Sequence, residues 1–126
     1  LFYEEADFNK RANNNGLNLF VALDVHCTHS VGDSYQDDDT DEHDKIKLLI
    51  AWHGEWSRFY FNRKHFGFII ALIYSLPRIL KNIIQMILNA FISKKKHLNY
   101  YYRLSGIINS ILGKKSNLRI DNITKY

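Results

Sequence analysis

A chain of 126 residues has room for one modest hydrophobic core, and a content of 46% hydrophobic and 24% charged residues excludes a wholly disordered polypeptide. The net charge of +4 conceals a division: residues 1–44 hold eleven acids and two bases (−9), and residues 45–126 hold two acids and fifteen bases (+13). The first part suits a cation or a carbohydrate and the second an anionic surface, while the single Cys27 excludes an internal disulfide and fits a reducing compartment.

In chain order, residues 4–15 predict a short helix whose N-terminus carries Glu4, Glu5 and Asp7, the sign of charge that a helix start favours. Gly16 ends it as a residue able to take positive φ. Residues 17–28 predict a strand, because Leu17, Leu19, Val21, Leu23 and Val25 alternate with Asn18, Phe20, Ala22, Asp24 and His26. Helix, glycine turn and strand together predict an α/β fold. Residues 30–44 read as a loop around the acidic run Asp37–Glu42. From Lys45 a helical period begins, with Leu48, Leu49, Trp52, Trp56, Phe59 and Tyr60 on one aromatic-rich face.

Gly67 marks a break, and Pro77 predicts a kink or a fresh helix start. Beyond it Ile79, Leu80, Ile83, Ile84, Ile87, Leu88, Phe91 and Ile92 share a face, followed by the basic patch Lys94-Lys95-Lys96-His97. Residues 104–112 predict another short apolar helix ending at Gly113, and the tail from Ser116 reads as irregular. The uninterrupted apolar run 66–76 is shorter than the roughly 20 residues a membrane span needs. The expectation for residues 77–97 is therefore an amphipathic helix lying in a membrane interface, its lysines reaching anionic headgroups. A kinked span and a helix packed on a catalytic domain are the alternatives.

The opening Leu1-Phe2-Tyr3-Glu4-Glu5-Ala6-Asp7-Phe8, then Lys10-Arg11 and Gly16, resembles the acceptor-side motif of family 2 glycosyltransferases. In that family an aromatic residue, an acid pair, a spacer and an Asp precede an Arg-containing helix, a glycine turn and a His-x-x-Gly-x-Ser element. Here the last of these is His29-Ser30-Val31-Gly32-Asp33-Ser34. Trp52-His53-Gly54-Glu55-Trp56-Ser57-Arg58-Phe59-Tyr60 and the ending Arg103-Leu104-Ser105-Gly106 through Gly113-Lys114-Lys115-Ser116 are similar to bacterial rhamnosyltransferase-like members, which build surface polysaccharides. The chain departs from the pattern in having Glu4-Glu5 where the family has Glu-Asp, and in the acidic run 37–44.

The resemblance implies the C-terminal part of a GT-A fold over residues 1–66, followed by a helical, basic, amphipathic region over 67–126. It also implies a longer natural protein, whose nucleotide-binding half and metal-binding Asp-x-Asp lie upstream of Leu1, so that this stretch alone is inactive. The implied reaction is inverting transfer of a hexosyl or rhamnosyl group from a nucleotide-diphospho-sugar to a glycan or lipid-linked acceptor. It would take place on the cytoplasmic face of the plasma membrane, through peripheral contact. Glu5 would be the base, with Glu4 and Asp7 positioning it. Ser34 belongs to the acceptor-side element, and His29 is a candidate extra ligand to a Mg or Mn ion held mostly by the upstream half.

Arg58 can meet a diphosphate, and Trp52 and Trp56 can stack on a sugar. The alternatives for these residues are an ordinary acidic helix start, a polar histidine at a strand end, a solvated basic face and a core aromatic stripe. A non-catalytic membrane-docking module is the competing function. Nucleic acid is not an expected partner, because the basic residues are interleaved with long aliphatic runs.

Overall fold

A computed structural model describes residues 2–26 and 40–123, Thr40 by its backbone alone. Cys27, His29, Ser34 and the acids Asp37 to Asp39 lie outside the described residues. The elements are α1 (Glu4–Asn14), α2 (Thr40–Phe66), α3 (Phe68–Asn89) and α4 (Lys94–Ile111), with a short 3-10 turn at Ile120–Asn122.

No strand occurs among the described residues, so the α/β expectation and the GT-A fold are overturned: this is a small all-helical arrangement. The alternation over 17–26 is present in the sequence, but none of the described residues pairs with it. Leu17, Leu19, Val21, Leu23 and Val25 are exposed along with the residues between them, and a strand without a hydrogen-bonding neighbour is not stable in water.

The local signals for α1 are met. Glu4, Glu5 and Asp7 occupy its first turn, and Gly16 turns the chain at φ 73°. At the other end, Tyr3 caps the helix at φ 69°, a left-handed conformation unusual for a residue with a side chain. Helix α2 starts at Thr40, earlier than expected, with Asp41 and Glu42 in the first turn and Arg63, Lys64 and His65 in the last, an arrangement that suits the helix dipole at both ends.

The core lies between α2 and α4, which make the most extensive contact; α3 packs on α4 and less on α2. Leu48, Trp52 and Tyr102 form its centre, and Ile123 folds back from the C-terminal segment to join them. Elements from both sides of residue 66 therefore share one core. Gly106 makes the close approach possible, because a Cβ built there would collide with the Trp52 carbonyl oxygen.

Helix α3 runs through Pro77 without a break, so the expected new helix start does not occur. Proline removes the bond to the carbonyl four residues earlier. That carbonyl belongs to Ile73, which is exposed, as is Pro77 itself. The side that α3 turns inward carries Ala71, Ser75, Asn82 and Asn89, whereas Ile69, Ile73, Leu80, Ile84 and Ile87 are each more than half exposed. Among the described residues α3 alone is long and apolar enough to cross a membrane, and 17% of its apolar window is buried within the protein.

Candidate functional site

Helix α1 is fastened to α2 by side chains. The Arg58 Nε donates to the Tyr3 hydroxyl at 2.7 Å, and the guanidinium lies over the Tyr3 ring. Phe61 packs on the same ring, at 5.4 Å between centroids. These contacts hold Tyr3 in its left-handed conformation. Asp7 accepts from Lys64 at 2.7 Å, from His65 Nε2 at 2.7 Å and from Arg11 at 3.0 Å. Those donors, Lys64 foremost and His65 next, lower its pKa from 3.8 to about 2. Neighbouring acids such as Glu4 and Glu5 by themselves push a carboxyl upward; for Asp7 the donors of α2 outweigh them.

A cleft of about 190 Å³ lies where α1 meets α2, with Tyr3, Glu4, Asp7, Trp56, Tyr60 and Lys64 in its wall. Behind it a second cleft of about 590 Å³ is lined by Trp56, Tyr60, Arg63, Lys64, Lys114 and Lys115. Trp56 and Tyr60 stack at 5.0 Å and 14° and form a partition common to both. The indole is fixed by donating Nε1–H to the Lys114 carbonyl at 3.0 Å. Glu4 and Asp7 thus face one side of this partition, Arg63, Lys114 and Lys115 the other, and Lys64 borders both. Such a pairing suits a carbohydrate ring on the aromatic wall and an anionic group beside it.

The fold brings some of the sequence-derived residues together and separates others. Glu4 and Trp56 share the first cleft with Asp7. Glu5 is exposed on α1. Trp52 is a core residue, 4% exposed, whose Nε1–H donates to Ser105 at 3.1 Å, so it supports the site from beneath. Arg58 splits its donors between Tyr3 and the Glu55 carboxylate at 3.2 Å. Burial opposes its charge, but the Tyr3 hydroxyl and Glu55 outweigh that and raise its pKa. His29 and Ser34 lie outside the described residues.

Three residues outside the sequence-derived site set matter here; the sequence suggests Lys64 only as part of a solvated basic face and Tyr60 only as part of the aromatic-rich face. Lys64 bridges α1 to both clefts, Tyr60 completes the aromatic partition one helical turn from Trp56, and Glu55 anchors two arginines. Glu55 carries a signal in the sequence, being one of only two acids after residue 44.

Among the described residues no group of three His, Cys, Asp or Glu side chains is arranged to hold a metal ion. The divalent cation implied by the resemblance is expected to be held mostly upstream of Leu1, and its one candidate ligand in this chain, His29, lies outside the described residues. No protein-family model, no curated protein and no solved structure matches the chain.

Proposed function

We propose that the chain is part of a glycosyltransferase that moves a sugar from a nucleotide-diphospho-sugar to a glycan or lipid-linked acceptor on the cytoplasmic face of a membrane. The observation that carries the proposal is the ordered series of motifs, Tyr3-Glu4-Glu5-x-Asp7, Gly16, His29-x-x-Gly32-x-Ser34 and Trp52 to Tyr60, of which Tyr3, Glu4, Asp7, Trp56 and Tyr60 border one cleft. In this reading Glu5 takes the proton of an acceptor hydroxyl. The oxygen attacks the anomeric carbon of the donor sugar from the face opposite the nucleotide diphosphate, which leaves with the electron pair of the broken bond. Glu4 orients the acceptor from the cleft wall, and Asp7 fixes α1 on α2 so that the acids stay in register with the Trp56–Tyr60 partition. The divalent cation has its ligands outside the described residues, with His29 a candidate.

The test is sugar transfer by the whole protein of which this chain is part, in its native membrane, comparing Glu5→Gln with the unaltered protein. Loss of a positioned base costs about 10²- to 10⁴-fold in turnover, and donor binding stays unchanged. Undiminished turnover would remove Glu5 from the role. The competing reading is a non-catalytic membrane-docking module, favoured by one observation, the outward apolar face of α3. Vesicle binding without any detectable transfer would select it.

A further inference from the structure

A third cleft, of about 280 Å³, opens where α2, α3 and α4 meet. Its wall carries Arg58 from α2, Arg78 and Lys81 from α3 and Arg103 from α4. Glu55, 6% exposed, is the acid there. It accepts from Arg58 at 3.2 Å and from Arg103 at 3.4 Å, which leaves three of the four positive charges uncompensated. Arg78 and Lys81 have no acidic partner among the described residues. Like charges gathered this closely repel one another unless an anion joins them. Asn82 also lines the cleft; it is 5% exposed, and its amide hydrogen-bonds no protein group among the described residues. Among the described residues the one fully buried side-chain polar atom without a partner is Ser110 Oγ, so the Asn82 amide is not sealed in the core but reaches the cleft, where it is open to a ligand.

The place of this cleft in the fold identifies what fills it. Arg78 and Lys81 are three residues apart on one flank of α3, beside the outward stripe of Ile73, Leu80 and Ile84. With that stripe in the acyl boundary of a bilayer, the flank sits at the depth of lipid phosphates. Further cations oppose their own surroundings in a related way: Lys94, Lys95 and Lys96 occupy the first turn of α4, where the helix dipole disfavours positive charge. Asp44 offsets Lys95 at 2.6 Å.

We propose that this cleft binds the terminal phosphate or diphosphate of a membrane lipid, with Arg78, Lys81 and the Asn82 amide as donors and the pair of arginines on Glu55 as its rear wall. The inference rests on the membrane contact in the proposed function and adds the chemistry of the lipid head.

The experiment is flotation of the full chain with phosphatidylcholine vesicles containing either phosphatidic acid, which exposes a terminal phosphate, or phosphatidylglycerol at matched surface charge. The unaltered chain prefers phosphatidic acid by roughly tenfold, the worth of about one strong charge-assisted hydrogen bond. The double variant Arg78→Gln, Lys81→Gln, at two exposed positions, loses that preference. Lys94→Gln, Lys96→Gln weakens binding to both anionic vesicles and keeps it. Equal binding of the unaltered chain to the two vesicles would overturn the inference alone, whereas binding to none would overturn the membrane contact as well. Release from phosphatidic acid vesicles by an equal concentration of inorganic pyrophosphate would show a soluble anion as the occupant and overturn the lipid source.

Discussion

Gly106 of α4 lies against the backbone of Trp52 of α2, so close that a single methyl group at residue 106 would strike the Trp52 carbonyl oxygen. The obstacle is main chain, which cannot rotate aside as a side chain would. The approach also sets the Trp52 indole in reach of Ser105, one residue earlier. The most extensive packing of the fold therefore depends on the absence of one Cβ.

Gly106→Ala is expected to lower stability by about 1–3 kcal/mol, the ordinary range for overpacking a tight interface. Thermal unfolding would show a fall of several degrees. Gly54→Ala, in the interior of α2 with nothing within 4 Å of the added atom, is the control. Alanine is the better helix former, so that variant is expected to gain up to about 1 kcal/mol. A neutral Gly106→Ala would mean that α2 and α4 are further apart in solution.

The attachment of α1 is expected to be acid-labile. Asp7 ionises at about 2 in the folded chain against an ordinary 3.8. Its folded pKa is depressed, so its contribution is complete above about pH 4 and is lost as pH falls from there through 2. Hydrogen exchange of α1 amides reports this directly. Protection in α1 should fall across that window while α2 and α4 stay protected. Asp7→Asn should release α1 at neutral pH; an α1 as protected in that variant as in the unaltered chain would show that Tyr3 and Arg58 suffice.

His53 predicts a second pH dependence, of a different origin and in a different window. Its Nε2–H donates to the Leu118 carbonyl at 3.1 Å, so Nδ1 of the neutral ring accepts from the Ser116 hydroxyl at 2.7 Å. Burial lowers its pKa below 6.5, outweighing the Leu118 bond that raises it. On acidification the unfolded chain takes up this proton first. The contribution is therefore whole above about pH 6.5 and declines below it. The drop in unfolding temperature between pH 7.5 and 5.5 should be smaller in His53→Gln than in the unaltered chain. Equal drops would show that His53 does not carry the dependence.

The sequence showed the elements whose causes are local and missed those whose causes are distant. Gly16, the acidic first turn of α1 and the break at Gly67 are set by neighbours a few residues away, and each was legible. The alternation at 17–26 is equally plain in the sequence, but a strand is made by its partner, and none of the described residues provides one. Trp56 was visible as a candidate; its position between two clefts depends on Lys64 meeting Asp7, 57 residues away along the chain, which no periodicity reveals. For α3 the period of 3.6 showed that one face is apolar, but the pattern is the same whether that face meets protein or lipid. The direction emerges only from seeing Ala71, Ser75, Asn82 and Asn89 turned inward.

That direction gives the last prediction. Leu80 and Ile84 stand on the outward stripe at 59% and 55% exposure, so replacing both with glutamate removes no packing from the α2–α4 core. In water the double variant should fold as the unaltered chain does, with the same helical circular dichroism and more resistance to aggregation, since a long exposed apolar face is itself a liability. On neutral phosphatidylcholine vesicles it should fail to bind, because a carboxylate placed in the hydrocarbon boundary costs several kcal/mol where leucine gains. Unfolding of Leu80→Glu, Ile84→Glu in water would show instead that the stripe is packed against protein. Undiminished vesicle binding would show that membrane contact is not made by the outward stripe of α3.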